Sequence, residues 1–330
     1  ANFTQADPTM NLTEQLTGDG SVASFYGTVP PREGKSDSEM RAIAGKLSSR
    51  LEDFSTSALL VYDVQNEDGR NGKPRPFPFV PTVQSRRYAA LLREVTGRPV
   101  ICYKAAPAHA GDNFQKWLKE TRRDFDLRYL SLVGSSSSDG DAPGPTLEKA
   151  TQMTATMEDP GFEAIGGVTI PERHIAKGNE GRRLLQKTEQ GMDFFVSQII
   201  YRPGATVQML QSYNQRCQEE GIDPSLLVLN FAPCGHRKTL QFMRWLGVDV
   251  PDAAEERIFS ADDPVSASVQ LCRDNLAQIL KRTADLSVPL GVAAESVSKR
   301  SAEIDASVEL LGVLQETVSD VSSEVVSVST

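Results

Sequence analysis

Cysteine and histidine are scarce in this chain of 330 residues: four of the first and three of the second. Cys102, Cys217, Cys234 and Cys272 lie far apart with no C-x-x-C between them. That excludes a disulfide scaffold and points to structural thiols in a reducing compartment. His109, His174 and His236 form neither H-x-x-x-H nor H-E-x-x-H, so no metal site is expected. A dinucleotide fingerprint is missing as well. The turn after the first strand candidate reads T-V-P-P-R-E-G-K, which does not fit G-x-G-x-x-G. No apolar run reaches the ~18 residues that a membrane span needs. Positive charge is in deficit: 35 Lys and Arg against 44 Asp and Glu leave a net charge of −9 and a pI near 5.1. General binding to nucleic acid or to an anionic membrane is thereby disfavoured. Nor do the first residues carry an apolar leader, so the expected location is the cytoplasm, or an organelle matrix after loss of a transit peptide. The sequons Asn2-Phe3-Thr4 and Asn11-Leu12-Thr13 then read as chance matches.

What the chain does have is regular alternation. Strand patterns fall at 21–29, 58–64, 99–103, 127–133, 164–169, 192–201, 226–231 and 288–293. Helical patterns fall between them, at 38–54, 86–96, 113–125, 147–157, 175–190, 207–220, 236–246 and 264–286, with a last one at 301–318. Eight βα units in roughly 300 residues predict an α/β fold, a single-domain (β/α)8 TIM barrel. Its expected extent is 19–320, with a polar N-terminal arm at 1–18 and a Ser- and Val-rich C-terminal tail at 321–330. The long polar, proline-rich loop at 65–81 has the character of a lid or binding loop.

In parallel α/β folds the carboxyl ends of the strands carry the chemistry. Polar residues at those ends are therefore the candidates. Gln198 offers a neutral amide that can both donate to and accept from a heterocycle edge. Phe231 closes a strand and can stack on a flat ring. Glu172 and His174 follow the fifth strand as an acid–base or cofactor-orienting pair. Lys187 can pair with a phosphate. Asp63 and Glu295 each stand at or just past the end of an apolar strand. Each of these also has a structural reading: a satisfied core amide, a core aromatic, loop and helix caps, a solvated lysine. Cys234-Gly235-His236 sets a thiol and an imidazole close in sequence, but neighbours this near rarely orient as a catalytic pair. The Ser135 to Ser138 run reads as a loop able to hold an anion.

The central stretch resembles the methylenetetrahydrofolate reductase family, a (β/α)8 barrel that reduces methylene-tetrahydrofolate to methyl-tetrahydrofolate. Ile170-Pro171-Glu172-Arg173-His174 is similar to that family's Y-P-E-x-H, and Gly191-Met192-Asp193-Phe194-Phe195-Val196-Ser197-Gln198 to its G-A-D-F-F-I-T-Q. Ser24 to Pro31 echoes its S-F-E-F-F-P-P opening. The resemblance implies a folate-type small molecule as ligand, pterin contact at Gln198, and flavin contact at His174 and Lys187. It also implies NADH or NADPH as electron source. Departures accompany it. Gly27 stands where the family has its strand-1 glutamate, Val133-Gly134-Ser135 where it has R-G-D, and Ile170 where it has the motif tyrosine. The loss of R-G-D argues against tightly held FAD. A flavin-independent branch is also similar, in Thr28-Val29-Pro30-Pro31, in the acidic loop from Glu67-Asp68-Gly69 to Pro81, and in the glutamate ending Pro289 to Glu295.

Three functions follow as expectations. The first is a reductase in which Asp63 or Glu295 replaces the missing carboxylate as catalytic acid, with activity below that of members keeping the strand-1 glutamate. The second is a folate-binding or methyl-transferring relative without the reductase step. The third is a non-catalytic barrel, homo-oligomeric or a subunit of a larger assembly.

Overall fold

The computed structural model describes residues 11–18, 22–67, 73–108, 111–134 and 143–328. Eight parallel strands close into a barrel in sequence order: β1 (Ser24–Thr28), β2 (Ala58–Val61), β3 (Val100–Ala105), β4 (Tyr129–Val133), β5 (Ala164–Thr169), β6 (Phe194–Ser197), β7 (Leu226–Phe231) and β8 (Leu290–Glu295). β8 returns to β1 with Glu295 opposite Gly27, which closes the ring. The expected (β/α)8 architecture is present, and β5 and β6 are neighbours as the βαβ spacing predicts.

Side chains alternate between two cores. One lines the barrel interior: Phe25, Leu60, Ile101, Tyr103, Phe194, Val196 and Val228 among them. The other lies between strands and helices and includes Tyr26, Leu59, Cys102, Leu130, Phe195, Leu229 and Phe231. This is the period-2 pattern of a sheet buried on both faces. Phe194 fills the interior beside Gly166, where a Cβ would overlap its ring.

The barrel floor is closed by α1 (Leu12–Thr17), whose Leu12 and Leu16 belong to the interior core. Asn11 and Glu14 cap it reciprocally. Thr13 Oγ1 meets Tyr129 Oη at 2.9 Å and donates to Glu163 at 2.7 Å. Over 11–18, then, the segment expected as a polar arm is a plug. Its two leucines, four apart, were diluted by polar neighbours in the sequence.

Around the barrel run α2 (Asp37–Arg50), α3 (Ser85–Thr96), α4 (Gly111–Arg123), α5 (Leu147–Ala155), α6 (Glu172–Lys177), α7 (Glu180–Glu189) and α8 (Pro203–Glu220). Then come α9 (Arg237–Trp245), α10 (Asp252–Phe259), α11 (Pro264–Arg282) and α12 (Ser301–Val328). The helix expected over 175–190 is two helices, because Gly178 takes a left-handed φ of 63° and ends the first. The strand expected over 192–201 pairs only as far as Ser197. α10 escaped the sequence reading because its buried face is only Ala254 and Ile258. α12 runs past the expected end at 318, through part of the Ser- and Val-rich tail. Among the described residues no helix is long and apolar enough to cross a membrane. His109 and the Ser135 to Ser138 run lie outside the described residues, as does Asp68-Gly69.

Candidate functional site at the barrel mouth

The last inward positions of the strands set out a group of polar side chains on the C-terminal side of the barrel. Glu295 ends β8 and Asn230 stands one residue before the end of β7, where Nδ2 donates to Glu295 Oε1 at 2.5 Å. Tyr62 follows β2 and meets Tyr103 of β3 edge-on, ring centroids 4.9 Å apart at 81°. Ser131 of β4 lies beside Tyr103. Tyr62 Oη faces the Glu295 carboxyl, and the two bias each other's ionisation. Burial pushes the Glu295 carboxyl up from 4.5 to about 7, against the opposing pull of Asn230 and Tyr62. Burial also raises both phenols. Tyr62 Oη, Tyr103 Oη, Ser131 Oγ and Asn230 Oδ1 are all buried without a hydrogen-bond partner. Tyr103 faces Ser131 and Tyr62 faces Glu295 within this group, which leaves Asn230 Oδ1 as its unmatched acceptor.

A roof crosses this mouth. The loop after β2 reaches α9, which follows β7, and the two lock through aromatic contacts. The Arg75 guanidinium lies 5.0 Å from the Trp245 ring centroid and 5.4 Å from those of Phe79 and Phe242. Phe77 meets Phe242 edge-on at 5.3 Å, and Trp245 Nε1 donates to Lys73 O at 3.1 Å. Cation–π stacking of this kind is favourable where solvent is partly excluded.

Each candidate from the sequence now has a place. Glu295 belongs to the polar group. Asp63 does not share its face: Oδ2 accepts from Lys104 Nζ at 3.2 Å and from Ala105 N at 2.9 Å. Lys104 in turn stacks over Trp117 of the helix layer. Gln198 is half-buried just past β6. Its Nε2 donates to Leu246 O at 3.3 Å and its Oε1 accepts from Ile199 N at 2.9 Å, so it ties β6 to the end of α9. Phe231 packs in the helix–strand core, on the outer face of β7.

Glu172 and His174 do not bond each other. Both Glu172 carboxyl oxygens and His174 Nδ1 are buried without hydrogen-bond partners. Burial raises Glu172 to about 7, with the charges of Asp249 and Arg202 acting in opposite directions. Lys187 lies between helix and strand, donating to Val168 O at 2.7 Å with Phe195 beside it. Burial lowers its ammonium from 10.5 to about 8. Lys187 is thus spent on a backbone carbonyl inside the helix–strand layer.

Cys234 and His236 are not a catalytic pair either. The thiol is buried and pushed up to about 12, while His236 Nδ1 accepts from Lys238 N and caps α9. A cleft of about 400 Å³ at the opposite face is lined by Arg93, Arg98, Asp126 and Arg128. Arg98 there is spent on Phe54 O, Leu51 O and Thr56, which makes it a structural brace.

Tyr62, Tyr103, Ser131 and Asn230 were missed in the sequence. Asn230 had a signal: a lone amide inside L-L-V-L-N-F, a strand buried along its whole length. Tyr62 had a weaker one, standing in inward register two residues beyond Leu60.

Fold and mouth together define a (β/α)8 barrel with a partly buried acid–amide pair at its strand ends. No protein-family profile and no curated protein matches the sequence. Among solved structures, the chain is similar to an uncharacterised protein from Clostridium thermocellum that binds two copies of 5-methyl-5,6,7,8-tetrahydrofolic acid. The TM-score is 0.77 at 24% identity, covering 92% of this chain and 99% of that one. It is also similar to apo-MsnO8, with TM-score 0.52 at 13% identity, covering 90% and 98%. At these identities the likeness is one of fold.

Proposed function

We propose that the mouth of this barrel binds a reduced folate and that Glu295 is its acid. The observation that carries this is the Glu295–Asn230 pair, partly buried at adjacent strand ends with Asn230 Oδ1 still unpartnered. A pterin presents amino and ring N–H donors beside a carbonyl acceptor. Asn230 Oδ1 can accept from an N–H of such a ligand, which leaves the Glu295 carboxyl to act as acid. The folate ligand of the Clostridium thermocellum barrel supports the choice among heterocycles.

The finer reading is reduction of 5,10-methylenetetrahydrofolate to 5-methyltetrahydrofolate. There the bond from the one-carbon unit to N10 breaks, and N10 takes the proton of Glu295. A hydride, supplied by NADH or NADPH as second substrate, adds to the carbon. An acid titrating near 7 is suited to the proton step at neutral pH. Gly27 brings no second carboxylate to β1, which makes slow turnover the expectation.

Binding without turnover is the second reading. Gly27 favours it, since β1 brings no carboxylate to the mouth. One experiment separates the two: 5,10-methylenetetrahydrofolate is mixed with NADH or NADPH and nicotinamide oxidation is followed, with the Glu295→Gln variant alongside. Oxidation in the parent and a fall of about 10²-fold or more in the variant support the reductase. Saturable folate binding with no oxidation leaves the binding protein. Absence of folate binding ends both.

A further inference from the structure

The Tyr62 hydroxyl occupies the space that a side chain at position 27 would take. A Cβ on Gly27 would overlap Oη and crowd two ring carbons of Tyr62 at 2.8 Å. Gly27 is the register partner of Glu295 across β1 and β8. Tyr62 therefore reaches from β2 over β1 to the acid, steadied by the Tyr103 ring. Its Oη is buried and faces the Glu295 carboxyl. Asn230 is committed differently. An amide nitrogen only donates, so Glu295 Oε1 accepts whether the carboxyl is charged or neutral. The proton then belongs on Oε2.

We propose that Tyr62 is the positioning residue for the Glu295 proton, its hydroxyl set over Gly27 to accept from the carboxylic acid and to donate to the carboxylate. This rests on Glu295 being the acid of the mouth, and it names the group that holds the carboxyl through a cycle of proton loss and gain. A phenol is both donor and acceptor, so it can reverse its bond without moving. The step balances. The Oε2–H bond of Glu295 breaks, the proton passes to a nitrogen of the bound ligand, and the Tyr62 O–H turns to the carboxylate left behind. A solvent proton restores the acid afterwards.

The other groups acting on Glu295 are Asn230 from β7, Tyr103 from β3 and Tyr26 from β1, whose own hydroxyl meets Ser307. Among the described residues no ion pair reaches the carboxyl. Removing the Tyr62 hydroxyl thus changes the acid's surroundings without changing their charge.

The test is a carbon-13 NMR titration of glutamate carboxyls in ligand-free protein, with the Glu295 signal assigned by its loss in Glu295→Gln. In Tyr62→Phe the midpoint is expected to rise by about one pH unit, because a donor to the carboxylate is gone. Gly27→Ala displaces the same hydroxyl by a separate route and should move the midpoint in the same direction. Tyr62→Phe keeps the ring and its packing on Tyr103, so the fold is expected to survive. A Tyr62→Phe midpoint within about 0.2 unit of the parent, or lower, overturns the proposal. Since no ligand is present, this result is independent of folate binding. Titration of the parent with 5-methyltetrahydrofolate, carried out in parallel, judges the folate reading separately.

Discussion

Glu295 and Glu172 both keep their protons toward neutral pH because burial penalises their charged forms. Their folded values, about 7, stand above the ordinary value of 4.5. Each therefore contributes stability that is present below the unfolded value and lost as pH climbs through the folded one. For Glu295 the rise from 4.5 to about 7 amounts to at most about 3 kcal/mol. Thermal unfolding should show the parent losing stability between pH 5 and 8, with Glu295→Gln flattening part of that slope. An unchanged slope in the variant would mean that Glu295 titrates normally. Lys187 offers a contrasting case. Its ammonium serves Val168 O inside the helix–strand layer, so Lys187→Met should cost about 1–3 kcal/mol by leaving that carbonyl unpaired. Folate affinity, measured on the same variant, should stay within about twofold of the parent, well under the effect of one lost hydrogen bond.

Among the elements, the roof and the floor invite tests of different kinds. The 73–81 strap is held by contacts centred on Trp245 and Arg75. Trp245→Ala should raise amide exchange in that strap while leaving the β3 and β7 amides protected. Equal exchange throughout would deny the strap any separate motion. Gln198→Ala should loosen the same region, since its amide ties β6 to Leu246 O. The floor depends on Leu16, fully buried in the barrel interior, and Leu16→Ala should destabilise by about 2–5 kcal/mol in a denaturant titration.

Legibility in the sequence follows the same division. The strands were readable because their apolar runs are short and regularly spaced; β7 coincides with its prediction residue for residue. Contacts that join distant segments left no such periodicity. Neither Arg75 against Trp245 nor Tyr62 over Gly27 is written in any local pattern. Asp63 and Glu295 looked equivalent at strand ends. Register decided between them, turning one toward Lys104 and the other toward Asn230.

For the molecule as a whole, closure of the barrel brings β8 back to β1 and so sets Glu295 beside Gly27, residues far apart in the chain. An open sheet would have left the acid at an edge, in water, with an ordinary titration. The folate reading depends on this enclosure. It is tested by calorimetric titration of 5-methyltetrahydrofolate into the parent and into a Glu295→Ala, Asn230→Ala double variant. The parent is expected to bind with a Kd on the order of micromolar, and the double variant at least about tenfold more weakly while keeping its fold. No binding by the parent, or equal binding by both proteins, would contradict a folate site built on Glu295 and Asn230.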